Sequence, residues 1–212
     1  MTTQSLVRIG CIASSLFLFT GCAGQQQTTE AEPAAPVSLS CIAVMPVTAA
    51  ADYDDPDTQE SRATLLEGSR VLNNLLKQEL AGKKVRFVAD QDMELGSPSL
   101  EKSRAIAQQY QCNAVLDLSV SRYVKRIGGE YGVKQPAAVT FAYRLYETGE
   151  GRMLCHGRFD ERQQALMENL FTLSKAESRG LTWLTAEELA RDGLREKFGE
   201  CSYLGASSTS GR

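Results

Sequence analysis

The chain has none of the short sequence patterns that usually mark an enzyme. It lacks a Gly-x-x-x-x-Gly-Lys phosphate-binding loop, a Gly-x-Ser-x-Gly nucleophile turn and a His-Glu-x-x-His zinc helix. It also lacks a Cys-x-x-Cys pair, which argues against a zinc site and against thioredoxin-type redox chemistry. We therefore expect no catalytic residue, no metal and no cofactor, and we predict that the protein is not an enzyme.

Histidine is nearly absent, and the single one, His156, lies in a predicted strand. Alternation of side chains along a strand places Asp160 on the same face. No recognisable motif links a serine or cysteine nucleophile to this histidine, so we interpret it as solvated or structural. Ser99 and Lys102 match the Ser-x-x-Lys of penicillin-recognising enzymes, but the Lys-Thr-Gly element is missing and a helix start is the simpler interpretation.

Excess positive charge and long apolar runs are missing as well. The net charge is −3, and it becomes −4 once the first 21 residues, which carry only Arg8, are removed. A mildly acidic chain is a poor candidate for nucleic-acid binding, so we expect no nucleic acid partner. The longest apolar run, Val7 to Phe19, has 13 residues. A transmembrane helix needs about 20.

This apolar run ends in Phe19-Thr20-Gly21-Cys22, which has the form of a bacterial lipoprotein signal. Signal peptidase would cut before Cys22, and fatty acids such as palmitate would acylate the cysteine. Several acyl chains hold a protein stably, since each buried methylene contributes about 0.8 kcal/mol. The alternatives are an ordinary secretory signal and an uncleaved amino-terminal anchor.

The sequence after the anchor divides into three parts. Ala23 stands where an aspartate would favour inner-membrane retention, so we expect attachment to the periplasmic face of the outer membrane. Residues 22–40 are the lipidated cysteine and a polar, proline-bearing tether. We predict a domain over 41–204 and a disordered tail over 205–212, with 1–21 as the signal peptide.

Four cysteines remain after the signal peptide and the lipid site are set aside. They are Cys41, Cys112, Cys155 and Cys201. In an oxidising periplasm they could form up to two disulfides, with three pairings open. The alternative is that they are buried free thiols that serve as small apolar residues. Cys41 and Cys112 each begin a predicted strand and would meet if those strands are parallel neighbours.

The order of predicted elements is βαβα, then βββ, then αα. A strand over 41–47, a helix from Asp57 to the stop at Gly82, a strand over Val85–Val88 and a helix opening at Ser97 imply parallel strands. Three alternating strands follow over 114–126, 138–146 and 153–159, and helices are predicted over 161–175 and 186–198. Thr185 and Glu188 predict a capping box at the start of the last helix. We predict one α/β domain whose mixed sheet has a parallel half and an antiparallel three-strand meander, with helices packed on it.

Basic residues gather on the meander and on its glycine-rich loop 127–136. They are Arg122, Lys125, Arg126, Lys134, Arg144, Arg152, Arg158 and Arg162. They are either ordinary solubilising charges that blunt strand edges or a docking surface for an acidic partner or an anionic glycan. On the second interpretation the candidate partner-binding residues are Arg126, Gly128, Gly129, Tyr131, Gly132, Lys134 and Arg144.

Several motifs resemble known envelope lipoproteins. Ile42 to Pro46, Cys112 to Leu116 and the meander resemble lipoproteins built on a TolB amino-terminal-like α/β domain, among them the curli-secretion (CsgG-like) and penicillin-binding-protein-activator lipoproteins. A closer similarity is to uncharacterised lipoproteins. It lies in Arg126 to Gly132, Pro136 to Phe141, Phe159 to Leu170 and Trp183 to Leu189.

The resemblance implies a non-enzymatic binding or scaffold module for an envelope protein, since the resembling families mainly bind other proteins. It also offers an alternative, a homo-oligomeric secretion or assembly component of the curli-channel type. Curli-type channels need longer amphipathic segments, and the three predicted strands have no flanking aromatic girdle. We therefore favour the binding module.

Overall fold

A computed structural model describes residues 37–50, 59–89, 99–129, 132–163 and 183–205. Outside these residues lie the predicted signal peptide, Cys22, most of the tether, Asp57, Ser97, Tyr131, most of the predicted helix 161–175, and the tail beyond Gly205.

Strands and helices alternate along the described part of the chain. The strands are β1 (Ile42–Val44), β2 (Thr48–Ala49), β3 (Val85–Phe87), β4 (Ala114–Val124), β5 (Ile127–Gly128), β6 (Val133–Gln135), β7 (Ala138–Glu147) and β8 (Met153–Arg162). The helices are α1 (Gln59–Glu79), α2 (Leu100–Gln109) and α3 (Ala186–Gly199).

The main sheet has the strand order β3-β1-β4-β7-β8, and β2 pairs with β4. Strands β3, β1 and β4 are parallel, whereas β4, β7 and β8 are antiparallel. Strands β5 and β6 form a separate two-stranded hairpin. The predicted mixed α/β fold, with a parallel half and an antiparallel meander, is confirmed.

Element boundaries differ from the prediction in several places, and β1 and β4 are shorter than predicted. Strand β2 was not predicted, because two residues are too short to show a periodic pattern. The predicted loop 127–136 contains the hairpin of β5 and β6. Strand β8 continues to Arg162, where it pairs with Ala138, so Glu161 and Arg162 extend the sheet instead of opening a helix. Cross-strand pairing overrides the local helical pattern there.

Part of the predicted tether contacts the domain. The side-chain oxygen of Asn113 accepts a hydrogen bond from the backbone N–H of Ser40 at 2.8 Å, and the Asn113 amide donates to the carbonyl of Ser38 at 2.9 Å. Residues 37–40 are therefore held against the start of β4.

Helices α1 and α3 cover one face of the sheet. On α1 a stripe of leucines is buried, with Leu72, Leu76 and Leu80 fully enclosed. Gly82, with a φ of +80°, lies just beyond the helix end, in a conformation that favours glycine. On α3 the predicted capping box is confirmed, since Thr185 and Glu188 each accept a hydrogen bond from the other's backbone N–H.

The opposite face of the sheet is only partly covered. Helix α2 packs Ile106 and Ala107 against β1 and the start of β4. It reaches β7 at Tyr146, whose hydroxyl is hydrogen-bonded to Ser103. Among the described residues no helix covers this face along the rest of β7 and β8.

Two disulfides fasten the sheet. Cys41 pairs with Cys112 at a Cα–Cα distance of 4.7 Å, and Cys155 pairs with Cys201 at 5.9 Å. Both distances lie in the range that a disulfide bridges. Strands β1 and β4 are parallel neighbours, which is the condition under which the sequence places Cys41 beside Cys112. The second bond ties β8 to Cys201, two residues beyond the carboxyl end of α3.

We expect removal of the Cys41–Cys112 disulfide by the double Cys→Ser change to lower the free energy of unfolding by about 2–4 kcal/mol. The bond restricts the unfolded chain by closing a loop of 71 residues. Urea unfolding monitored by circular dichroism measures the loss. The same double Cys→Ser change at Cys155 and Cys201 is the comparison, and it should lower the free energy of unfolding by a similar amount. An unchanged midpoint for both variants would contradict the pairing.

Gly193 on α3 should not tolerate a side chain. A Cβ there would lie 2.6 Å from the ring of Phe159, which is buried. Overpacking costs about 1–3 kcal/mol, which exceeds the gain of about 1 kcal/mol in helix propensity. We expect Gly193→Ala to lower the melting temperature. Gly199→Ala is the matched control, because nothing lies within 4 Å of its Cβ position. Equal behaviour of the two variants would contradict this packing.

Candidate functional site

The face of β4, β7 and β8 that no described helix covers, here called the outer face, carries an ordered array of mostly polar residues. The strand register aligns them in four rows across the three strands. The rows are Asp117–Arg144–His156, Ser119–Ala142–Arg158, Arg122–Thr140–Asp160 and Val124–Ala138–Arg162. Side chains alternate along each strand, and a bulge between Val120 and Arg122 shifts the alternation of β4 by one residue, so these residues lie on the face opposite Leu118 and Phe141. Thr140 and Ala138 are nevertheless buried.

Asp117 is the least expected residue of the outer face. The alternation of β4 predicts its side, but the residue is only 3% exposed. Arg144 donates a hydrogen bond from Nη2 to Oδ2 of Asp117 at 2.5 Å, while half of the arginine side chain stays in solvent. Oδ1 of Asp117 is buried and has no hydrogen-bond partner among the described residues. A buried carboxylate thus holds a surface arginine in place.

Asp160 organises the other end of the outer face. It accepts a hydrogen bond from the Thr140 hydroxyl at 3.0 Å, and it forms ion pairs with Arg122 and, at 3.3 Å, with Arg158. Burial raises the pKa of the Asp160 carboxyl, but the Thr140 hydrogen bond and the two arginines outweigh it. The pKa therefore lies below its ordinary value.

The predicted basic residues do not all lie on the outer face. Arg122, Arg144, Arg158 and Arg162 do. Lys125 instead pairs with Glu67 of α1 at 2.6 Å, and Arg126 donates to the carbonyl of Trp183, just before α3. Arg152 lies in the turn before β8, where it pairs with Glu150. Strand β4 ends at Val124, so alternation no longer sets the direction of the two residues after it.

The glycine-rich loop forms a tight hairpin. Gly128 has a φ of +121°, and a Cβ there would lie 2.5 Å from the carbonyl oxygen of Gly132. The backbone N–H of Gly129 donates to that same carbonyl at 2.8 Å. The structure therefore requires glycine at position 128, and it leaves Lys134 exposed on β6. Tyr131 lies outside the described residues.

The surroundings of His156 do not form a catalytic arrangement. His156 is exposed beside Arg144 in the register, its neighbour Cys155 is in a disulfide, and Asp160 is engaged by arginines. Within the described residues no group of three or more His, Cys, Asp or Glu side chains could hold a metal ion. None of the helices in that part of the chain has both the length and the apolar character to cross a membrane.

No family model matches the chain, and no curated protein matches it. Several solved structures are similar to it. A PelC dodecamer from Paraburkholderia phytofirmans is 12% identical, over 72% of this chain and 79% of that chain, with a TM-score of 0.39. The LpoB carboxyl-terminal domain from Salmonella enterica is 16% identical, over 60% of this chain and 86% of that chain, with a TM-score of 0.36. Lipoprotein GNA1162 from Neisseria meningitidis is 20% identical, over 66% of this chain and 93% of that chain, with a TM-score of 0.35. Likenesses this remote do not bear on function.

Arg144 should stabilise the fold through Asp117. Arg144→Gln leaves a buried carboxylate without its cation, which costs about 1–3 kcal/mol in the free energy of unfolding. The double variant with Asp117→Asn should lose less than the sum of the two single changes, as a double-mutant cycle in urea measures. The control is Arg191→Gln, which breaks an exposed pair with Glu187 on α3 and should change stability by under about 0.5 kcal/mol. Additive losses would rule out the coupling.

The Asp160 carboxyl should make the free energy of unfolding depend on pH in the acidic range. Its pKa is lower in the folded chain than in the unfolded chain, so it stabilises the fold at pH values above about 4. That contribution is lost as the pH falls through the folded-state pKa. The stability difference between the wild type and Asp160→Asn should therefore be constant from pH 6 to 8 and shrink below pH 4. A difference that does not vary with pH would show that the carboxylate charge is not responsible.

Proposed function

We propose that this chain is a lipoprotein of the outer membrane whose periplasmic domain binds an envelope protein and catalyses no reaction. Attachment is supported by Cys22, which ends a short apolar run and is preceded by small residues. The polar segment after it has few large apolar side chains, so it would serve as a flexible tether up to the residues that contact the domain. The lipid supplies the membrane contact and leaves the domain free to bind.

The outer face is the observation that supports binding most directly. It carries four arginines and two aspartates, while the mature chain has a net charge of −4. A cationic patch on an acidic protein attracts an acidic partner and repels the same cationic patch on a second copy. Arginine is also enriched at protein interfaces.

Three of the four arginines of the outer face are held in place before any partner arrives. Asp117 orients Arg144, and Asp160 orients Arg122 and Arg158. Side chains that are already ordered lose less conformational entropy on binding, which favours affinity. The partner that suits this face is an envelope protein with carboxylates spaced to meet the rows of arginines.

The hairpin of β5 and β6 is a second contact in this proposal. Lys134 is exposed on β6, and Tyr131 lies between β5 and β6 in the sequence. Loops that connect a rigid scaffold commonly carry binding residues. Arg126, by contrast, is engaged with the carbonyl of Trp183, so we assign it to holding the chain after β4 in place.

Partner binding can be tested on the acylated full-length protein, extracted from membranes in mild detergent. We expect a native mass equal to one protomer plus a second protein, and the double change Arg158→Gln, Arg162→Gln should weaken that complex roughly tenfold. These positions avoid the buried Asp117, so circular dichroism should show an intact fold. The Tyr131→Ala variant tests the hairpin separately.

The control for the charge change is Arg191→Gln with Lys84→Gln, which removes the same number of charges from other surfaces. It should leave the complex intact. If the Arg158, Arg162 variant captured the partner as well as the wild type does, the outer face would not be the binding surface. A discrete ring-sized homo-oligomer without a second protein would contradict it and favour an assembly component of the curli-channel type.

A further inference from the structure

A cleft of about 570 Å³ opens at the carboxyl ends of the parallel strands β1 and β3. In open α/β sheets, ligands bind outside the carboxyl ends of the strands, and small-molecule sites usually occupy about 300–1,000 Å³. One wall of the cleft is apolar and contains Pro46, Phe87 and Val88, which follow or end the two strands. The position, the volume and this wall are all suited to a small organic molecule.

The described residues of the opposite wall are polar and come from a single helix. Arg70, Asn73, Asn74 and Lys77 all line the cleft. Their spacing of three, four and seven residues places them on one face of α1. Within the described ranges no acid forms an ion pair with Arg70 or Lys77. This wall therefore offers two cations that are two helical turns apart.

The backbone at the floor of the cleft has no donors to spare. The N–H of Met45 donates to Leu116, that of Val88 to Val44, and that of Ala89 to the Tyr110 hydroxyl. The N–H of Val47 donates to the side-chain oxygen of Asn73 at 2.9 Å. This bond fixes the Asn73 amide and leaves its NH2 group as the available donor. A ligand's negative charge would have to be met by side chains of α1.

We propose that the cleft binds a small organic acid with an apolar body. Its carboxylate or sulfonate is held by Arg70 and Lys77 with the amide of Asn73, and its apolar part packs against Phe87 and Pro46. None of these residues belongs to the outer face, so the site is independent of the proposed function. The ligand is defined by this pairing of charge and apolar surface.

A fluorescence titration of the full-length chain with anilinonaphthalene sulfonate tests the site, because this probe has both an aromatic body and one negative charge. We expect saturable binding at pH 7 that octanoate reverses. Arg70→Gln with Lys77→Gln should weaken binding by at least about fivefold. Lys84→Gln is the matched control, since it removes an exposed cation outside the cleft. Circular dichroism checks that each variant is folded.

Competition decides which part of the ligand is recognised. Displacement by 1-octanol as effective as by octanoate would overturn the proposal, because the cleft would then recognise only the apolar body. If inorganic phosphate displaced the probe as effectively as octanoate does, the proposal would also be overturned, because the cleft would then recognise only the negative charge. Equal binding by the Arg70, Lys77 variant would remove α1 from the site.

The alternative occupant of the cleft, in place of an external ligand, is a carboxylate of the chain itself. Residues 51–58 contain four aspartates, Asp52, Asp54, Asp55 and Asp57. If the wild type failed to bind the probe and a variant with these four changed to Asn bound it, the cationic wall would serve an internal contact. That result would overturn the proposal of an external ligand, as would the absence of binding by both proteins.

Discussion

The register of β4 is the constraint on which the rest of the structure depends. This strand is the only connection in the described sheet between the parallel half, through β1, and the antiparallel half, through β7. A shift by one residue would turn Leu116 and Leu118 out of the core and bring Asp117 into it. The Cys41–Cys112 disulfide lies at the start of the strand and resists such a shift, since it ties the beginning of β4 to the beginning of β1.

The core and the outer face are two results of this one register. The residues that point inward give α1 and α3 an apolar surface to pack on, and the residues between them form the rows of charges. Burying Asp117 costs desolvation energy, which its pairing with Arg144 partly offsets. Replacing such a buried pair with apolar residues of similar volume is often neutral for stability, which agrees with the proposed role of these charges in contact specificity.

Sequence patterns predicted what depends on near neighbours along the chain. The alternation of β4 and β7, the capping box of Thr185 and Glu188 and the order of the main elements follow from local spacing. Other features depend on segments far away in sequence. They are the burial of Asp117, the hydrogen bond from Arg126 to the carbonyl of Trp183 and the pairing of the short β2 with β4. The cleft was not predicted for the same reason, because α1 and the ends of β1 and β3 meet only after folding. The spacing of Arg70, Asn73, Asn74 and Lys77 was nevertheless visible in the sequence as a polar helical stripe.

The two cationic regions differ in a way that matters for what each can bind. On the outer face Asp117 and Asp160 partly neutralise the arginines and hold them in fixed positions, so the surface favours a partner whose charges are also fixed. In the cleft, Arg70 and Lys77 have no acid partner among the described residues, and their exposed side chains can adjust. A flexible cation beside an apolar wall suits a small ligand that supplies its own negative charge. The two proposals thus assign the concentrated cations of one mildly acidic chain to two uses, a rigid surface for a protein and an adaptable cleft for an acid.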